Sequence, residues 1–145
     1  MNSRKTITAW GLVAGLSLAL AGTAGAAEAR PLLSPSHARI VFLGDSITDG
    51  NTYPSLIRQA LTEAGYAPPL CINSGVGGNT AADMKARLEK TVLVYKPSLV
   101  TVSAGINDIL HGVSNESYRA DMSTIADNVR KSGSELLILT PSILG

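Results

Sequence analysis

A chain of 145 residues with 12 Lys+Arg against 11 Asp+Glu has a formal net charge of +1, which excludes an electrostatic footprint for nucleic acid. The single cysteine, Cys71 in the apolar run PLCIN, excludes an internal disulfide and reads as a small buried hydrophobe rather than a reactive thiol. The length suits one small domain.

The chain opens on a basic head, MNSRK, followed by the apolar, small-residue stretch ITAWGLVAGLSLALAGTAGAAEA. Ala24-Gly25-Ala26 and Ala27-Glu28-Ala29 both fit a signal-peptidase site. Residues 1–26 therefore read as a secretory signal peptide, cleaved after Ala26 or Ala29. An uncleaved anchor is the competing reading, because the run is nearly long enough to span a bilayer. Its Ala/Gly content and cleavage-like end favour removal. No cysteine follows LALAG, so a lipoprotein anchor at that point is excluded. The expectation is an exported protein, periplasmic or extracellular, with no stable membrane anchor once the signal is gone.

After a two-proline lead-in at 30–37, the domain is expected over residues 38–145. Residues 38–43 (ARIVFL) form a short, fully apolar strand. Residues 54–65 read as a helix, with Pro54 at its start and Gly65 at its stop. Its apolar face is expected to hold Leu56, Ile57, Ala60, Leu61 and Ala64. Residues 69–73 (PLCIN) make a second strand. Residues 80–90 make a second helix, capped by Asn79 or Thr80, with a run-on towards Tyr95 that Pro97 ends. Residues 98–103 (SLVTVS) are a third strand. Residues 116–132 are a third helix with Tyr118, Met122, Ile125 and Val129 inward, stopped by Gly133. Residues 135–140 (ELLILT) are a fourth strand. Apolar strands alternating with amphipathic helices predict an α/β domain whose parallel sheet is covered on both faces.

In such sheets ligands bind beyond the carboxyl ends of the strands. Three loops lie there: Gly44-Asp45-Ser46, then Asn73 to Thr80 (NSGVGGNT), then Ala104-Gly105-Ile106-Asn107-Asp108. If the first strand lies between the second and third, all three meet. Ser46 brings a hydroxyl, Gly78 an unobstructed backbone N–H and Asn107 an amide. Donors converging on one point make an oxyanion hole for acyl transfer.

The three blocks in this order, each after a strand, resemble the SGNH/GDSL hydrolase family over about Arg39 to Thr140. The resemblance implies a three-layer α/β/α, flavodoxin-like parallel sheet of at least four strands, with a last strand and helix missing here. It implies Ser46 as nucleophile and the Ser46 N–H, the Gly78 N–H and the Asn107 side chain as oxyanion hole. It also implies an esterase acting on a small acyl ester, such as an acetylated carbohydrate, with lipid esters and thioesters as alternatives. No cofactor is implied. Where the family often has Asp after the second-block glycine, this chain has Asn79, read as a tolerated change of cap. The family's fourth block, Asp-x-x-His after the last strand, supplies its general base. The sequence reaches Gly145 before that block, and serine is a poor nucleophile without a base.

Of the two histidines, His37 precedes the first strand, on the wrong edge of the sheet. Asp108-Ile109-Leu110-His111 spells Asp-x-x-His, but within the third block. His111 stays open as a base, a rim residue or an incidental surface residue. Asp45 and Asp108 are expected to hold loops rather than carry protons, and Ser46 alone could simply cap a helix. GVGG fails the dinucleotide spacing. No Cys/His cluster suggests a metal, and no G-x-S-x-G elbow is present. Three readings follow: an exported serine esterase, an inactive remnant or small-ligand-binding domain, and a fragment. For a chain ending here, strand 135–140 is expected to be an open edge that promotes association.

Overall fold

The structure, a computed structural model, describes residues 38–140. The expected signal peptide at residues 1–26, the lead-in with His37, and residues 141–145 lie outside the described residues.

The sheet is built from β1 (Arg39–Gly44), β2 (Leu70–Gly75), β3 (Leu99–Ser103) and β4 (Glu135–Leu139). All pairings are parallel, in the order β2-β1-β3-β4. The condition set by the sequence is therefore met, since β1 lies between β2 and β3. The chain steps from β1 to one side and then to the other, so the two crossovers diverge above Gly44. This is the switch point at which α/β sheets form ligand crevices.

The alternation of side chains along β1 explains the layers. Val41 and Leu43 face the larger core, where they meet Met84 and Leu88 of α3 (Ala81–Thr91) and Met122, Ile125 and Val129 of α5 (Asn115–Lys131). Ile40 and Phe42 face the opposite side, towards Tyr53, Ile57 and Leu61 of α2 (Thr52–Glu63) and towards Cys71. Phe42 and Tyr53 meet edge to face, with ring centroids 5.7 Å apart, an arrangement the ring quadrupoles favour. Partial burial raises the Cys71 thiol pKa, which keeps it protonated and apolar in character.

The helices begin and end where local chemistry dictates. The Thr80 hydroxyl accepts the Asp83 N–H while the Asp83 carboxylate accepts from the Thr80 N–H, a reciprocal cap on α3. Ser114 caps α5 by accepting the Ser117 N–H. Four readings are corrected. Helix α2 starts at Thr52, two residues before Pro54, because proline is tolerated throughout a first turn whose N–H groups have no partner within the helix. Leu56, Ala60 and Ala64 are exposed rather than inward, and α2 buries a narrower stripe centred on Ile57 and Leu61. The run-on of α3 is a separate 3-10 turn, Leu93–Tyr95, closed by Lys96 at φ 49°. Two short helices, α1 (Ser46–Asp49) and α4 (Ile106–Leu110), stand where loops were expected. No helix among the described residues is long and apolar enough to cross a membrane.

Candidate active site

Each of the three blocks leaves the carboxyl end of its strand. The first passes directly into α1, and two glycines make room for it. A Cβ on Gly44 would collide with the Thr48 side chain, and one on Gly75 with the Thr48–Asp49 backbone. Strands β1 and β2 thus end in residues without side chains, so α1 sits directly on the sheet edge. Thr48 is fully buried and shares a 2.8 Å hydrogen bond with the Tyr53 hydroxyl. The Asn73 amide donates to the Thr48 carbonyl at 2.7 Å. The helix that begins with Ser46 is therefore pinned from beneath and from both sides.

Asp45 is buried, and its Oδ1 accepts the Ile47 N–H at 3.0 Å. Asp45, not Ser46, is the cap of α1. That leaves Ser46 as the first helical residue, exposed, with its hydroxyl bonded to no described residue. The second block runs past it: a Cβ on Gly77 would lie 3.9 Å from Ser46 Cβ. Gly78 follows at φ 80°, and no described residue accepts its N–H. In the third block, Asn107 Nδ2 donates to the Asn79 carbonyl at 3.0 Å and approaches Asp45 Oδ2 at 3.5 Å. One amide thus touches both other blocks. Asp108 is buried, and its two carboxylate oxygens accept the Ala81 N–H at 3.1 and 3.2 Å. The third block is thereby fastened to the start of α3.

The structure brings Ser46, Gly78, Asn107 and Asp45 into one neighbourhood and sets Asp108 behind them as a fastening. His111 stands apart. It is the exposed residue that ends α4, and its side chain is hydrogen-bonded to no described residue. Among the described residues no group of His, Cys, Asp and Glu is arranged to hold a metal ion.

Asn79 is not a helix cap, since Thr80 holds that position. Asn79 Oδ1 instead accepts from Arg87 Nε at 2.7 Å. Arg87 escaped the sequence reading altogether. Within TAADMKARLEK it looks like one more charge on a solvated helix face. Only the fold turns it towards the sheet.

The model of the GDSL-like Lipase/Acylhydrolase family matches residues 42–145. The chain belongs to this family. It is 36% identical over 89 residues to an acetylxylan esterase of Geobacillus stearothermophilus, covering 49% of this chain and 40% of the relative. It is 29% identical over 106 residues to esterase TesA of Pseudomonas aeruginosa, covering 69% and 52%. The solved structure of the acetyl xylan esterase AlAXEase superimposes with a TM-score of 0.66 at 27% identity, covering 74% of this chain and 60% of that one. The crystal structure of TesA gives 0.67 at 26%, covering 72% and 61%. The chain thus spans about half the length of these two relatives.

Proposed function

We propose that this chain carries the nucleophile and oxyanion hole of an exported serine esterase. Ser46 Oγ bonds to the carbonyl carbon of a small acyl ester, and its proton passes to a general base. The carbonyl oxygen takes up negative charge in the tetrahedral intermediate, which then expels the alcohol, protonated by that base. Water attacks the acyl-enzyme in the same way, releases the acid and restores Ser46. The described residues present no base beside the Ser46 hydroxyl, and this reading assigns that role to none of them.

The observation that carries the proposal is the convergence of the three blocks on Asn107. Its bond to the Asn79 carbonyl anchors one amide N–H. The second N–H makes only the long contact with Asp45. A 3.5 Å contact is at the limit of hydrogen bonding, so this N–H is the one a developing oxyanion would take. The N–H groups of Ser46 and Gly78 complete the hole in this reading. The acetylxylan esterase relative supports an acetylated carbohydrate as substrate class. The basic head, apolar run and Ala-x-Ala sites of the first 29 residues support export.

The test is hydrolysis of p-nitrophenyl acetate and of acetylated xylan by the purified protein beside Ser46→Ala. Loss of at least about 10³-fold in the variant is expected, in line with removing a catalytic serine elsewhere. Equal rates in the two proteins would overturn the esterase reading. Saturable binding of acetylated oligosaccharide without turnover would favour the ligand-binding domain instead.

A further inference from the structure

Arg87 lies on α3, half-buried, and points back to the carboxyl edge of the sheet. Its Nη2 donates to the Gly44 carbonyl at 2.9 Å and its Nη1 to Ser74 Oγ at 2.8 Å. Nη1 also reaches Thr91 Oγ1 at 3.2 Å, and Nε donates to Asn79 Oδ1 at 2.7 Å. Every one of these acceptors is neutral. Among the described residues Arg87 makes no ion pair, Asp83 being the one charge that acts on it from nearby. Burial outweighs that attraction and lowers the guanidinium pKa. An arginine kept for charge would stand opposite a carboxylate. This one is held where charge is costly, by groups that recognise the shape of its donor fork.

The positions of those acceptors matter. Gly44 O is the last carbonyl before Asp45 and Ser46, and it also accepts the Val76 N–H at 3.0 Å. Ser74 is the next-to-last residue of β2. Asn79 is the next-to-last residue of the second block, and its own carbonyl receives the Asn107 amide. A single planar group therefore touches the first and second blocks directly and reaches the third through one residue. We propose that Arg87 is a positioning residue, whose rigid fork fixes the three blocks relative to one another so that Ser46, Gly78 and Asn107 meet at one carbonyl. What is positioned rests on the esterase reading; that the fork sets the loop geometry does not.

A lysine keeps the charge but has a single nitrogen, which cannot span Gly44 O and Asn79 Oδ1 in fixed directions. Arg87→Lys and Arg87→Met should therefore fail alike. The experiment compares both with the parent full-length chain, ¹⁵N-labelled. It follows the Asn107 side-chain NH₂ resonances, amide exchange at Val76 and Asn79, thermal melting, and p-nitrophenyl acetate kinetics. Both variants should shift the Asn107 resonances and speed loop exchange by about 10-fold, while β1 and β3 amides stay protected. Misplacement on the ångström scale should lower kcat by roughly 10²-fold with KM little changed. Unchanged loop exchange and Asn107 signals would overturn the proposal. So would a loss of protection spread evenly through the sheet, or full rescue of loops and kcat by lysine. If neither variant folds, Asn79→Ala removes the one acceptor that links Arg87 to Asn107, and the same Asn107 shift decides. A parent that hydrolyses nothing would sink the esterase reading, while the loop signals would still judge Arg87.

Discussion

Asn107 has two jobs at once: one N–H locks it to the second block, and the other is nearly idle beside Asp45. Asn107→Ala should therefore lower kcat by about 10²–10³-fold, the usual cost of one oxyanion donor. Asn107→Asp should be at least as damaging, because it removes the donors and sets a second carboxylate against Asp45. Steady-state kinetics on p-nitrophenyl acetate, with Ser46→Ala as the floor, check both. At this scale the residues on the strand ends were legible. Serine, glycine and asparagine appear after three successive apolar runs, and a parallel sheet must bring such ends to one edge. Arg87 and the acceptor role of Asn79 were not legible. They lie eight positions apart in sequence, and their contact depends on how α3 lies against β1 and β2.

The long elements were readable because each repeats its period over many residues, as α5 does with Met122, Ile125 and Val129. Helices α1 and α4 were not readable, being too short to display a period. They are held by tertiary contacts, chiefly the glycine-lined seat beneath α1 and the Asp108 bond to α3. Helix α3 depends more on its own cap. Thr80→Ala should cost about 1 kcal/mol, the typical loss of a side-chain cap. Bonds from the Thr80 N–H and hydroxyl hold the Asp83 carboxyl below the usual carboxylate range. A depressed carboxyl adds stability above its unfolded pKa, and that stability is lost as pH falls through its folded pKa. The stability gap between the parent and Asp83→Asn should therefore narrow from pH 7 to about pH 3. Urea melts at the two pH values measure this.

Across the whole domain, the described sheet is paired at its centre and open at its two edges, β2 and β4. Strand β1 is paired on both sides, whereas β4 pairs with β3 alone among the described strands and leaves Leu137 at 40% and Ile138 at 48% exposure. Open, apolar sheet edges recruit other chains. The 145-residue polypeptide is expected to elute above its monomer mass, and Leu137→Lys with Ile138→Lys to bring it down. A monomeric parent on light scattering would show this edge to be protected. The same strand order also bears on when the site comes into being. Residues 46, 78 and 107 follow strands that pair only across long crossovers, so none of their contacts can nucleate locally. Parallel pairing of this kind forms slowly, after loop-closure entropy has been overcome. Ser46, just after the first described strand, therefore meets Asn107 only once β3 has paired with β1, and a chain whose sheet has not yet closed lacks the converged site.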